Sequence, residues 1–220
     1  AVFGGGHSLA RNELYPVFLK LHQMRTLIVG GGEVGHEKLG NMLKSSPQAQ
    51  VTLVAPEIKD EIWELAAHHP NVSLLQRPCG LQDLEGRHLV MVATENTALN
   101  KEIADAAKAR SIWVNVADTP AECDLYLGSV VTRGPLKIGV STNGLSPTFA
   151  KRFRQVLEAT LPHETPQLLG RLNAIRNRLT GGFAQKVRAL NEVTACMAEM
   201  PPPQHHPEQA APQKTAPVAQ

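Results

Sequence analysis

Thr26-Leu-Ile-Val-Gly-Gly-Gly-Glu-Val-Gly-His-Glu-Lys38 is the stretch whose reading decides the fold. A short β-branched run enters a turn spaced Gly30-x-Gly32-x-x-Gly35, and a helix-forming run leaves it. Each glycine answers a separate steric demand. Gly30 permits the tight strand-to-helix turn, Gly32 lets backbone N–H groups approach a pyrophosphate, and Gly35 lets the helix pack closely on the strand. The helix N-terminus favours the phosphate charge, with Glu33 and Val34 placed to offer their N–H groups. Glycine-rich turns are common, so the spacing alone is weak evidence. Its position between a strand and a helix is what reads it as a nucleotide-binding turn.

The surrounding chain repeats that alternation. Strands are expected at 26–29, 51–54, 72–75, 89–93 and 112–116, mostly near-continuous apolar runs suited to strands covered on both faces. Helices are expected at 34–44, 59–68 and 97–110, the last with Leu99, Ile103, Ala106 and Ala107 at helical spacing. The order is that of an α/β fold, a Rossmann-like doubly wound parallel sheet. After Cys123 the pattern changes. Runs at 126–132 and 136–141, joined by Arg133-Gly134-Pro135, either pair as a hairpin or extend the sheet. Ser141-Thr-Asn-Gly-Leu-Ser-Pro147 then leads into a helix that Ser146 caps and Pro147 begins. Thr165-Pro166 opens a second helix with Leu168, Leu169, Leu172, Ile175 and Leu179 on one side. Gly181-Gly182 ends it, and Phe183, Val187, Leu190, Val193 and Met197 form another apolar stripe. The expected organisation is a nucleotide domain over 14–125, a small β segment over 126–150, a C-terminal helical domain over 151–200 and a disordered tail over 201–220. His205-His206 reads as part of that solvated tail rather than a metal site.

Composition narrows the function classes. A net charge of +2 over 220 residues gives no global electrostatic case for nucleic acid or membrane binding. The three cysteines, Cys79, Cys123 and Cys196, lack metal-ligand spacing and read as reduced thiols of a cytoplasmic protein. No apolar run reaches transmembrane length, and the opening residues lack the features of a signal peptide.

In an open α/β sheet, ligands bind beyond the carboxyl ends of the strands. The second expected strand ends Ala55-Pro56-Glu57, where an acid accepts the adenosine ribose hydroxyls. Glu57 favours NAD over its phosphorylated form, while Lys59 nearby pulls the other way; a plain strand-to-helix turn is the alternative reading. The fourth ends Ala93-Thr94-Glu-Asn96, where small residues leave room for a flat ring. Thr94 or Asn96 can bond cofactor or substrate there, although helix capping by Asn96 or Thr97 explains the same residues. The fifth carries Asn115, grouped with Thr94 as a cofactor contact, and ends at Asp118. An acid just past a buried strand suits proton transfer, and it equally suits a turn before Thr119-Pro120. No metal ligands are assigned.

Taken together, Leu27-Ile-Val-Gly-Gly-Gly-x-Val, Val51-Thr-Leu-Val-Ala-Pro-Glu57, Val92-Ala-Thr94, Val114-Asn-Val-x-Asp118, Cys123-Asp124 and Ile138-x-Val-Ser-Thr-Asn-Gly-x-Ser-Pro147 resemble one family. It is the precorrin-2 dehydrogenase family, also described as siroheme synthase dehydrogenase/ferrochelatase. The resemblance covers residues 14–161 and includes the Tyr15-Pro-Val-Phe-Leu19 lead-in. It implies NAD-dependent oxidation of precorrin-2 to sirohydrochlorin, which several members follow with Fe²⁺ insertion to give siroheme. It implies a homodimer formed through the segment from Tyr126 onward. It implies Asp118 as general base, and cofactor contacts at Glu33-Val34 and Pro56-Glu57. The substrate bears eight carboxylates, which Ser141, Thr142, Asn143 and Ser146, with Lys151, Arg152 and Arg154 at a helix start, suit as donors and cations. Ordinary capping beside a solvated basic face explains the same residues. Ala117 and Thr119 flank Asp118 where many relatives carry a larger aliphatic and a second acid, which weakens the chelatase expectation. The chain is too short for the methyltransferase domain some relatives append, so methylation of uroporphyrinogen III is expected from a separate enzyme. Two other classes compete: a non-catalytic NAD-binding regulatory subunit, and a chelatase that has lost NAD binding.

Overall fold

The computed structural model describes residues 12–198 and side chains to residue 195. The 201–220 tail with His205-His206, and the side chains of Cys196 and Met197, lie outside the described residues. Five strands, β1 (Arg25–Val29), β2 (Gln50–Ala55), β3 (Val72–Gln76), β4 (Leu89–Val92) and β5 (Trp113–Val116), form a parallel sheet in the order β3-β2-β1-β4-β5. Successive side chains of a strand point to opposite faces, so each central strand feeds two cores. Leu27, Val29, Val54, Val90 and Val92 pack on one face with Ile103, Ala104 and Ala107 of α3 (Thr97–Lys108). Ile28, Leu53, Leu89 and Met91 pack on the other with Leu39, Met42 and Leu43 of α1 (Glu33–Ser45) and Ile62 of α2 (Asp60–Ala67). The continuous apolar runs are thus those of a sheet covered on both sides.

Strand ends differ from expectation by single residues, for a local reason. The Ile112 N–H donates to Ala107 at 3.0 Å and closes α3, so β5 starts one residue later although Ile112 stays in the core. As a sheet edge, β5 would leave N–H groups unpaired. Here the Val114 N–H donates to the Asp124 carboxylate at 2.9 Å and the Val116 N–H to Cys123 Sγ at 3.2 Å. The Asp124 N–H returns a bond to the Val114 carbonyl at 2.8 Å.

The β3–β4 crossover carries a 3₁₀ turn (Leu81–Leu84) in place of a helix. Its geometry is held by buried Asp83, which accepts from both Arg77 Nη atoms at 2.8 and 2.6 Å and from the Gly80 N–H at 2.9 Å. The neighbouring Cys79 thiol is pushed up to about 12, chiefly by burial, and stays protonated.

The two later runs pair with each other and not with the sheet. β6 (Ser129–Arg133) and β7 (Leu136–Val140) form an antiparallel hairpin around a two-residue loop whose Gly134 sits at φ +58°. Glycine in the first position of such a loop matches the twist of the flanking strands. α4 (Pro147–Thr160) packs on the hairpin, and Arg133 Nη2 donates to the Glu158 carbonyl at 2.5 Å. The helix begins at Pro147 as expected, where Ser146 Oγ accepts the Phe149 N–H at 3.2 Å, so the expected domain boundary at 150/151 falls inside it. Compact units divide at 165/166. α5 (Thr165–Arg178) has no buried residue, and α6 (Phe183–Ala198) leaves Phe183, Val187 and Val193 exposed.

Hydrogen bonds from Arg77 hold the Asp83 carboxyl at about 2, with the Gly80 N–H helping and burial opposing. A carboxyl depressed in the folded state stabilises fully above its unfolded value near 4, and that stabilisation is lost as pH falls through about 2. The half-exposed Arg77 is screened by solvent, so Asp83→Asn should cost about 1–2 kcal/mol at pH 7. Urea unfolding should show that difference shrinking as pH drops below 4.

Candidate active site

All five strands are parallel, so the loops after β1, β2, β4 and β5 open on one edge of the sheet. Backbone contacts join them in a line. A Cβ on Gly30, at φ +124°, would lie 2.2 Å from the Ala93 carbonyl oxygen, which ties the β1 turn to the β4 end. A Cβ on Gly31 would lie 2.2 Å from the Glu57 carbonyl oxygen, tying the same turn to the β2 end. The Gly30 N–H donates to Val54 at 3.1 Å, and the Ala117 N–H donates to Val92 at 2.9 Å. Gly35 touches Gly30, its added Cβ reaching the carbonyl oxygen at 2.1 Å. Gly31 was not among the expected glycines; its place in the middle of the Gly30-Gly31-Gly32 run was its only sequence signal.

Gly32 differs from its neighbours, for a Cβ there would meet nothing within 4 Å. It is the N-cap of α1, and no side chain caps it. The first N–H groups of a helix have no intrahelical partner, so an uncapped start facing open space suits an anion. The residues present therefore fit a pyrophosphate held at Gly32, Glu33, Val34 and Gly35. Pro56 and Glu57 are exposed at the β2 end. Glu33 is ion-paired with Lys59; the hydrogen bond from Lys59 lowers the Glu33 pKa and raises that of the lysine.

Several expected contacts turn out to be occupied. Asn115 is buried: its Nδ2 donates to the Leu125 carbonyl at 3.0 Å, and its Oδ1 accepts from Lys38 Nζ at 3.0 Å. This side chain holds the segment after β5 in place and has no free group aimed at a cofactor. Lys38, which the sequence did not single out, faces β5 from a helix whose spacing marks only its apolar side. The Thr94 hydroxyl bonds Asn100 Oδ1 and accepts the Asn96 N–H, while Asn96 Oδ1 caps α3 through the Leu99 N–H at 3.0 Å. Capping thus accounts for Asn96.

Asp118 stands exposed at the end of β5 in a left-handed conformation, φ +55°. Among the described residues no hydrogen bond or ion pair engages its carboxylate. The 141–146 loop sits between β7 and α4. Its Ser141 Oγ accepts the Asn143 N–H at 3.2 Å, and its Thr142 Oγ1 accepts the Ser146 N–H at 3.2 Å. Asn143 and Gly144 are both left-handed, at φ +53° and +77°. Lys151 and Arg152 lie exposed on the first turns of α4, Arg152 donating to Gln155 at 3.1 Å. No hydrogen bond among the described residues joins this loop to the strand-end loops. None of their His, Cys, Asp and Glu side chains gather in a group of three or more able to hold a metal ion. No described helix is long and apolar enough to cross a membrane.

The glycine geometry separates folding from binding. Gly30→Ala and Gly35→Ala should unfold or strongly destabilise the chain, since each forces backbone apart. Gly32→Ala should leave the melting transition within about 0.5 kcal/mol of the parent. It should weaken dinucleotide binding roughly tenfold or more by filling the pyrophosphate approach. Circular dichroism with isothermal titration calorimetry distinguishes the two outcomes.

Residues 17–129 match the family described as "Putative NAD(P)-binding", and residues 133–160 match "Sirohaem biosynthesis protein central". The chain is 36% identical over 173 residues to the siroheme synthase of Pseudoalteromonas translucida, covering 79% of this chain and 34% of that protein. It is 37% identical over 175 residues to the siroheme synthase of Pseudomonas entomophila, covering 80% and 35%. The chain thus spans about a third of the length of these relatives. Among solved structures it is similar to SirC, precorrin-2 dehydrogenase, with a TM-score of 0.65, 28% identity, and coverage of 82% of this chain and 89% of that one. The first match takes in all five parallel strands, the glycine turn and Asp118, and the second takes in the whole of the hairpin's second strand and α4. The match over residues 17–129, half of the chain, places it in the family described as "Putative NAD(P)-binding", followed by a segment similar to the sirohaem biosynthesis central family.

Proposed function

We propose that this chain oxidises precorrin-2 to sirohydrochlorin, with NAD⁺ held at the glycine turn. The observation that carries the reading is the likeness to SirC, precorrin-2 dehydrogenase, which runs past the nucleotide fold to cover 82% of this chain. The bound dinucleotide supplies the hydride acceptor. The chain supplies position and charge. Gly32, Glu33, Val34 and Gly35 bind the pyrophosphate through backbone N–H groups, and Glu57, beside Pro56, accepts the adenosine ribose hydroxyl. The Thr94 backbone lines the crevice where β1 and β4 part. Asp118 takes the proton that leaves the tetrapyrrole with the hydride. Its exposure and freedom from partners support that role, since a carboxylate already bonded would have to break a contact first.

The substrate's carboxylates are received by Lys151, Arg152 and the 141–146 loop, where Asn143 presents its side chain from a turn that Ser141, Thr142 and Ser146 hold in shape. A second copy of the chain covers the apolar face of the sirohaem central segment. Phe149, Phe153 and Val156 of α4 are 59%, 42% and 54% exposed, an arrangement a lone subunit leaves wetted. The setting is cytoplasmic, and the substrate arises by methylation of uroporphyrinogen III. The domain roles follow: 14–125 holds the cofactor, and 126–150 with the rest of α4 joins the subunits.

Incubation with fresh precorrin-2 and NAD⁺ should generate the sirohydrochlorin absorbance, and no NAD-dependent conversion above a boiled control sinks the proposal. Asp118→Asn keeps a residue that tolerates the left-handed backbone. It should bind NAD⁺ normally yet turn over roughly 10²–10⁴-fold more slowly. Phe153→Glu should shift sedimentation from dimer to monomer. Sirohydrochlorin with Fe²⁺ and no NAD⁺ tests insertion separately: siroheme formation above the protein-free rate extends the activity to chelation.

A further inference from the structure

The mouth of the glycine turn carries a charge arrangement that bears on which dinucleotide it accepts. Lys59 follows β2, and its N–H donates to the Gly31 carbonyl at 3.0 Å, so its backbone is tied to the turn itself. Its ammonium is ion-paired with Glu33, the first residue of α1, and Glu61 Oε1 lies 3.9 Å away. Glu57 shares the same mouth, its carbonyl oxygen 2.2 Å from where a Cβ on Gly31 would stand.

After the second strand of such a fold, an acid accepts the ribose 2′-hydroxyl, whereas a cation accommodates a 2′-phosphate. This chain has both, so residue types alone leave the choice open. We propose that Glu33 and Glu61 hold Lys59 away from a 2′-phosphate, and that this pairing makes the site select NAD⁺ over NADP⁺. The inference rests on reading the glycine turn as the cofactor site. A phosphate monoester brings a charge of about −1.5 to −2 at neutral pH. To use Lys59 it must displace Glu33 and then face the Glu57 and Glu61 carboxylates, a like-charge approach that disfavours the wrong ligand. The free 2′-hydroxyl carries no charge and needs only the acceptor that Glu57 provides. An exposed ion pair contributes little by itself. Selectivity therefore comes from the neutralised cation together with the surplus of carboxylates around it.

The test is the ratio of NADP⁺ to NAD⁺ dissociation constants, measured by titration calorimetry at fixed ionic strength. The forms compared are the parent, Glu33→Gln, Glu33→Gln/Glu61→Gln, and that double variant carrying Lys59→Gln. Glu33 also lies beside the pyrophosphate, so its loss strengthens both ligands and only the ratio is informative. The parent should prefer NAD⁺. The double variant should move the ratio toward NADP⁺ by roughly tenfold or more. Lys59→Gln should abolish that gain, with circular dichroism confirming that each form is folded. An unchanged ratio, a gain that survives Lys59→Gln, or a parent that prefers NADP⁺ overturns the inference and leaves the cofactor site standing. Failure of every form to bind either dinucleotide overturns both.

Discussion

The close approach of two backbones at Gly30 underlies the rest of the molecule. Chain order reverses between β1 and β4, and the crevice a ligand uses opens where the loops diverge. For that to happen the β1 turn must run against the end of β4, at a spacing that leaves no room for a Cβ: 2.2 Å from Gly30 to the Ala93 oxygen. Gly31 and Gly35 make two further contacts of the same kind. Three glycines thus belong to packing, and Gly32 alone faces open space. The turn is a joint between three strand ends before it is a binding loop.

That distinction explains how much was readable in advance. The parallel sheet and its helices were legible because they follow from the alternation of apolar runs and one glycine spacing. Both are local signals with a steric cause. The roles of polar residues were less legible. Asn115 and Thr94 have the right chemistry for a cofactor contact, yet one ties Leu125 to β5 and the other braces the start of α3. Residue type reveals what a side chain can bond; which partner claims it depends on residues far away in sequence, such as Lys38 on α1. The start of α4 was legible as a cap at Ser146, but its packing on the hairpin was not, because that face is set by tertiary contact.

A division of labour among polar groups follows. Side chains that can both donate and accept, such as Thr94, Asn96, Asn115, Ser141, Thr142 and Ser146, are spent on shaping loops. Groups with full charge, Glu57, Asp118 and Lys151, stay exposed and unbonded among the described residues. Hydroxyls and amides suit the scaffolding role because they satisfy backbone groups at short range. Full charges are costly to bury and are best placed where a ligand will meet them.

The sulfur and carboxylate contacts along β5 have a consequence for Asp118. Cys123 Sγ accepts from the Val116 N–H and donates to the Val116 carbonyl, both at 3.2 Å. The segment carrying Asp118 therefore leaves β5 at Val116 and returns to the same residue. Closing so short a span costs little further chain entropy once its ends are pinned. The backbone at Asp118 is thus carried on a small ring anchored to the sheet, and its exposed carboxylate is left free to turn. Placement of that residue is a property of the sheet edge itself.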